Sequence, residues 1–320
     1  MKKIFAKIAA ISVAAIFVLG GCGDHPGQKG AKPQNFPKVQ PPAMLGQDGV
    51  LKYIAHNYWN PFIDSSEVFS QDTSLIGGVP KEQFAGACHE YARILFSIPL
   101  ADGIKAQTNF INRLVGLERR SPENTIFPAA VEFAEEVFYG VNSDFRNEEL
   151  YLPFAATLAK FEGIDSISRE RYAQEAINCS KNRIGAVAAD FHYTTKDGRR
   201  STLHKTAGEY TLLFFSNPGC TACKEIIGTL DQSLAVQKLF SEGRLTVINI
   251  YIDEDLAQWY KYMPIYPENW INCHNEDLKI RWENLYDVRA IPSLYLLDRE
   301  KRVILKDAPV NILMEQLHRL

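Results

Sequence analysis

Residues 211–223 read TLLFFSNPGCTAC, and this stretch decides the fold. The apolar run 212–215 predicts a buried strand, which ends at Ser216 because the sequence SNPG favours a sharp break. Cys220 and Cys223 follow, at the start of a segment with apolar residues at helical spacing. Two thiols in the first turn of a helix that follows a buried strand are typical of a disulfide-exchange site.

The chemistry expected of these thiols follows from their position. A nucleophilic cysteine must be a thiolate, and the free N–H groups and positive dipole end of a helix N-terminus lower the pKa of Cys220. Cys223, almost one turn later, is the expected resolving thiol. Two alternatives are a structural disulfide and half of a zinc site. The zinc site would need a second ligand pair, for which the chain offers Cys273 and His274 without further CxxC or HxxxH spacing.

The composition bounds the remaining possibilities. The chain has 320 residues and a formal net charge of −3, so it predicts about two domains and no electrostatic attraction to nucleic acid. Besides the CxxC, cysteines occur at 22, 88, 179 and 273, which is too scattered for a disulfide scaffold. Cys88 and Cys179 are predicted as core thiols, and Cys273 as a core thiol or a third redox thiol. No metal and no cofactor is expected.

The first residues predict export. A basic start, MKK, precedes an apolar run over 4–19 that ends in LGGC. That ending resembles the lipobox of bacterial lipoproteins, which implies a signal peptide over 1–21, lipidation of Cys22 and anchoring of the protein to a membrane through this lipid. An ordinary secretory signal is the alternative. Gly23 stands where an aspartate would suggest inner-membrane retention, so the expected location is periplasm-facing, on the outer membrane.

The mature chain divides by composition into three parts. Residues 22–44 are rich in Gly, Pro, Lys and Gln and predict a flexible tether. Residues 45–183 show helical apolar spacing, with breaks near 77–80, 121–124 and 140–146, and predict an all-α domain of five or six helices. Within it the aromatic-dense segment 56–62 is predicted as core, with a docking patch as the alternative. Residues 184–320 change to strand and helix signals.

This last part predicts an α/β domain with a mixed sheet flanked by helices. The predicted elements are a hairpin over 191–204, strands 211–216, 245–252, 293–297 and 303–306, a short strand at 270–271, and helices 220–239, 253–262, 277–286 and 310–320.

The segment RAIPS at 289–293 makes the pattern more specific. A strand, a CxxC at a helix start, a strand, a helix and then V-R-x-I-P before a strand, a hairpin and a helix resemble the thioredoxin superfamily. The resemblance covers 185–320, and its membrane-anchored branch of thiol–disulfide oxidoreductases and alkyl hydroperoxide reductase relatives is the most similar. It implies that Pro292 is cis and lies against the CxxC, rather than being an ordinary trans proline. It also implies that Ile291 and Gly219 border the substrate, with the backbone of Ile291 pairing with it.

Three departures from this family matter. Gly219 stands where the family usually has Trp, which predicts a less covered surface beside the thiol. The strand 212–215 carries no acid, so the group that accepts the proton of Cys223 is unassigned. The residues around Cys220 do not supply the P-x-x-x-T-x-x-C frame of a peroxiredoxin, which argues against peroxidase activity.

The sequence therefore predicts a membrane-anchored thiol–disulfide oxidoreductase that acts on protein disulfides and is re-reduced by a redox partner. Ile291 before Pro292 resembles the reducing thioredoxins and favours a reductase. The alternative is a non-enzymatic lipoprotein that uses a degenerate thioredoxin-like fold for protein binding. The role of the helical domain is open.

Overall fold

The computed structural model describes residues 33–65 and 74–320. The predicted signal peptide 1–21, the lipidation site Cys22 and the first part of the tether lie outside the described residues. Among the residues that are described, no helix combines the length and the apolar character needed to span a membrane.

The N-terminal part is helical, as predicted, but its described residues form seven α-helices rather than five or six. A short π-helical turn, Glu135–Tyr139, directly follows the fifth helix. A two-stranded hairpin, β1 (Leu75–Ile76) and β2 (Val79–Pro80), occupies a predicted break and turns at Gly77 and Gly78, which both have positive φ. The helices are α1 (Gln47–Asn57), α2 (Asn60–Ser65), α3 (Lys81–Phe96), α4 (Leu100–Arg120), α5 (Ile126–Ala134), α6 (Glu148–Leu158) and α7 (Ser166–Cys179).

Aromatic packing holds these helices together. Trp59 is 2% exposed and stacks on Phe110 of α4, with ring centroids 4.5 Å apart. Tyr58 and Phe62 are also buried, so the prediction that this aromatic segment is core is confirmed.

The C-terminal part contains a seven-stranded mixed sheet in the order β4-β3-β7-β6-β5-β8-β9. Strands β5, β6 and β7 run parallel, and β8 pairs antiparallel with β5. Apolar clusters on both faces of the sheet form the core. The strands are β3 (His192–Thr195), β4 (Arg200–Thr202), β5 (Tyr210–Phe215), β6 (Leu245–Tyr251), β7 (Ile271–His274), β8 (Ser293–Leu297) and β9 (Val303–Leu305). The helices are α8 (Thr221–Gln232), α9 (Leu234–Ser241), α10 (Leu256–Tyr262), α11 (Lys279–Trp282) and α12 (Val310–Arg319).

Two helix predictions in this part were wrong. The helix predicted over 220–239 is interrupted at Ser233, whose backbone is extended and whose hydroxyl accepts the N–H of Val236 as an N-cap. Leu234, the first residue of the new helix, is 87% exposed. The helix predicted over 277–286 is reduced to α11, because Asn284 adopts a positive φ of 46° just after it.

The order of the strands places the functional site. β5 lies between β6 and β8, and Phe215 at its end pairs with Ser293 at the start of β8. The break after β5 and the segment before β8 therefore meet at one edge of the sheet. This brings the CxxC segment next to Ile291 and Pro292, 70 residues later in the chain.

Candidate active site

Cys220 and Cys223 form a disulfide at the N-terminus of α8, with their Cα atoms 5.2 Å apart. Cys220 is the N-cap residue, and its Sγ accepts the backbone N–H of Cys223 at 3.0 Å. A thiolate at this position would keep that hydrogen bond and face the positive end of the α8 dipole. The local geometry therefore favours Cys220 as the ionised thiol.

The two sulfur-bearing residues differ in access. Cys220 is partly exposed, whereas Cys223 is 2% exposed and packs in the apolar cluster under α8. Lys224 and Glu225 point to solvent. An incoming disulfide can therefore reach Cys220 but not Cys223, which matches the roles of attacking and resolving thiol.

The Ile291–Pro292 peptide bond is cis, as the resemblance implies. Both residues are half-buried, and Ile291 packs against the same apolar cluster as Cys220. This segment directly precedes β8, at the end of the sheet where β5 also ends.

Gly219 has a φ of +78°, a conformation that only glycine adopts without strain. A Cβ atom there would lie 3.3 Å from the hydroxyl of Tyr262, at the end of α10. Gly219 itself is exposed, and the half-buried Tyr262 lies beside it. Sequence reasoning missed Tyr262 because it is 43 positions after Gly219 in the chain.

A chain of neutral hydrogen bonds lies behind the CxxC segment. Ser216 Oγ donates to Asn249 Oδ1 of β6, and Asn249 Nδ2 donates to Asn272 Oδ1 of β7 at 2.9 Å. Asn272 Nδ2 donates to the carbonyl of Pro267 at 2.9 Å, and the three polar residues are at most 6% exposed. Asn249 of β6 is paired in register with Phe214 of β5. Strand β5, which carries no acid over 212–215, therefore has an uncharged amide beside it.

This chain also escaped the sequence reasoning. The signal was present, because Asn249 interrupts the otherwise apolar run VINIYI in a strand that is buried on both faces. A buried polar side chain in such a strand requires hydrogen-bond partners.

The loop between Ser216 and Cys220 is held on its other side as well. Asn217 Nδ2 donates to Asp253 Oδ2 at 2.9 Å, and the same carboxylate pairs with Arg281 at 2.5 Å. A cavity of about 430 Å³ opens next to these residues and includes Pro218 in its wall. The loop that delivers Cys220 is therefore fixed by hydrogen bonds to both neighbouring segments.

The other described cysteines are buried and free. Cys273 is fully buried on β7, its thiol points to the carbonyl of Asn249, and burial raises its pKa well above the usual value. Burial likewise raises the pKa values of Cys88 and Cys179. These thiols are neutral at physiological pH and behave as apolar core groups. Across 33–65 and 74–320, no group of three His, Cys, Asp or Glu side chains is arranged to hold a metal.

Comparison with known proteins agrees with this fold. A family described as thioredoxin-like matches residues 208–303. The crystal structure of a thioredoxin-like protein from Bacteroides caccae ATCC 43185 is 32% identical, covers 89% of this chain and 98% of its own, and superposes with a TM-score of 0.76. That similarity extends over the helical part as well as the sheet.

Two further structures match the C-terminal part. The C-terminal domain of an uncharacterized protein from Bacteroides fragilis NCTC 9343 is 43% identical over 43% of this chain and 99% of its own, with a TM-score of 0.42. The thioredoxin domain of a thiol-disulfide oxidoreductase from Bacteroides vulgatus is 18% identical over 42% and 98%, with a TM-score of 0.37. No curated protein matches the chain significantly.

Proposed function

Because the chain belongs to the thioredoxin-like family, we propose that it is a thiol–disulfide oxidoreductase that reduces protein disulfides through Cys220 and Cys223. The observation that carries this proposal is the redox pair itself. Cys220, whose sulfur is reachable, is the N-cap of α8, and Cys223 is buried one turn later. The cis Ile291–Pro292 peptide lies at the same end of the sheet.

The reaction begins from the reduced dithiol. The Cys220 thiolate attacks one sulfur of a substrate disulfide, a mixed disulfide forms, and the other substrate sulfur leaves as a thiolate that takes up a proton. The deprotonated Cys223 then attacks Cys220 Sγ, which releases the second substrate thiol. The substrate gains two electrons, and the protein is left with the Cys220–Cys223 disulfide seen in the structure.

A second partner must close the cycle, because the disulfide form cannot reduce another substrate. A dithiol reductant would attack the partly exposed Cys220 and restore both thiols, and it would itself become a disulfide. Ile291 before the cis-proline supports reduction as the direction, since reducing thioredoxins carry this residue. The backbone of Ile291, together with Gly219, would hold an extended substrate segment.

The location is part of the proposal. The sequence of residues 1–22 supports export, cleavage before Cys22 and lipidation of that cysteine, with the oxidoreductase facing the periplasm from the outer membrane. Residues 22–44 would then act as the tether. Metabolic labelling with a palmitate analogue tests this, since Cys22→Ala should lose the label and the membrane association together.

The activity is tested by reduction of insulin with the purified full-length chain and dithiothreitol as electron donor. Cys220→Ser should abolish the acceleration, whereas Cys88→Ala, which removes a thiol outside the site, should retain it. Cys223→Ala should accumulate mixed disulfides that identify substrates in cells. Absence of turnover by the wild-type protein, or full turnover by Cys220→Ser, would refute the enzyme and favour a binding role.

A further inference from the structure

The cis-proline segment is tied to the helical part of the chain through Arg289. The guanidinium of Arg289 lies 3.7 Å from the centroid of the Tyr139 ring and donates to the Tyr139 carbonyl. It also lies 3.3 Å from a carboxylate oxygen of Glu148 in the first turn of α6. Arg289 is only two residues before Ile291, so the helical part contacts the segment that would receive the substrate.

The other flank of the same segment is held by Asp307. Ser293, directly after Pro292, donates its hydroxyl to Asp307 Oδ1 at 2.7 Å. Arg146, in the loop before α6, lies 3.1 Å from Asp307 Oδ2 and donates to the Asp307 carbonyl at 2.7 Å. Arg289 completes the group at 3.5 Å from Asp307 Oδ2. Arg289 before Ile291–Pro292 and Ser293 after it therefore both contact the Asp307 carboxylate. Arg146 of the helical part holds the same carboxylate.

This cluster is buried and balanced in charge. Lys306 and Glu148 form an ion pair of 2.7 Å with side chains 2% and 1% exposed. Asp287 lies 3.4 Å from Arg289. The cluster therefore contains three cations and three anions, namely Arg146, Arg289 and Lys306 with Glu148, Asp287 and Asp307. Buried ion pairs contribute little net stability but define geometry, because a displaced partner leaves an unpaired buried charge. Their placement on the two flanks of the cis-proline therefore suggests a positioning role.

We propose that the helical part is a positioning element for substrate docking, in which Arg146 and Arg289 fix the Ile291–Pro292 backbone through Asp307. The inference rests on the proposed function for its readout and extends it by giving the helical part a role. Neither arginine takes part in electron transfer; both act on the backbone that pairs with the protein substrate.

The test compares two interface arginines in the full-length chain. Arg146→Gln removes a contact that reaches the cis-proline segment. Arg183→Gln removes an ion pair of 2.5 Å with the buried carboxylate of Glu149 at the same interface. Within the described residues, Arg183 makes no hydrogen bond or ion pair with Asp307 or with 289–293, so it is a matched control.

In insulin reduction, Arg146→Gln is expected to raise KM by about tenfold while kcat changes by less than about twofold, since the docking surface shifts but the thiols do not. Arg183→Gln should leave both constants near wild type. Arg146→Lys, which retains the charge without the planar guanidinium, should recover part of the loss. Equal KM values for Arg146→Gln and Arg183→Gln would overturn the inference.

Amide hydrogen exchange gives a readout that does not depend on catalysis. Peptides covering 287–295 should exchange about tenfold faster in Arg146→Gln than in Arg183→Gln, and equal exchange would also overturn the inference. If wild-type protein fails to reduce insulin, the proposed function fails while this comparison still decides the positioning role. If Arg146→Gln does not fold, Ser293→Ala removes only the hydroxyl bonded to Asp307, and unchanged exchange there would refute the inference.

Discussion

Asp307 makes the stability of the protein depend on pH in a direction opposite to that of an ordinary paired carboxylate. Burial raises its pKa to about 6 from 3.8, against the opposing effect of Arg146 and Arg289. In the unfolded chain this carboxyl ionises near its ordinary pKa, whereas in the folded protein it keeps its proton up to about pH 6. The folded state therefore binds more protons between these values, and the free energy of unfolding falls as pH rises through them.

The magnitude follows from the shift. Raising this pKa from 3.8 to about 6 corresponds to about 3 kcal/mol of stability. This stability is lost between about pH 4 and pH 6, and the free energy of unfolding does not fall further from this cause above pH 6. Asp307→Asn removes this ionisation while keeping the oxygen that accepts the Ser293 hydroxyl. The free energy of unfolding of the variant relative to wild type should therefore rise by about 3 kcal/mol across this interval.

Urea unfolding at a series of pH values from 4 to 7 measures the difference directly. Asp102→Asn is the control, because Asp102 is a surface carboxyl whose pKa is lowered by Lys52 at 2.9 Å. The Asp102 variant should lose stability relative to wild type as pH rises. A difference for Asp307→Asn that is flat with pH, or that falls, would refute the assignment of a raised pKa to this carboxyl.

Two further predictions concern the loop that carries the thiols. Gly219→Ala should lower the free energy of unfolding by about 1–2 kcal/mol in urea unfolding, because its φ of +78° is strained for alanine. Combining it with Tyr262→Phe should not restore stability. Full restoration would show that contact with the Tyr262 hydroxyl, not the backbone φ, is the cause. Ser216→Ala should cost about 1–3 kcal/mol in the same assay, since it leaves the buried Asn249 Oδ1 without its donor. Thr229→Ala on the exposed side of α8 should change stability by less than about 0.5 kcal/mol, and equal effects of the two substitutions would contradict the role of the buried chain.

The parts of the fold that the sequence predicted correctly rest on local signals. The apolar run before Ser216 and the SNPG break are contiguous, so strand β5 and the start of α8 could be placed closely. Ser233 shows the limit of such reasoning, since a serine within a helical pattern can either point to solvent or cap a new helix. Only the packing of the following segment decides between these two conformations.

The missing parts of the site depend on contacts between distant residues. Arg289 and Tyr139 are 150 residues apart, and Arg146 and Asp307 are 161 apart. Nothing in the spacing of these charges in the sequence indicates that they meet, because buried ion pairs are selected by three-dimensional packing rather than by periodicity. The role of the helical part could therefore not be predicted from its own sequence.

The two sides of the active site differ in how they are supported. Behind the CxxC, the residues that pair with Phe214 are Asn249 and Leu294, so the place where many thioredoxins carry an acid is uncharged. Behind the cis-proline, buried charges hold the backbone on both flanks. Under the proposed function, Cys220 is then activated chiefly by the helix N-terminus, whereas docking of the substrate depends on the charged cluster. Substitutions in the charged cluster should therefore change KM for the protein substrate, whereas substitutions in the neutral chain should leave KM near wild type.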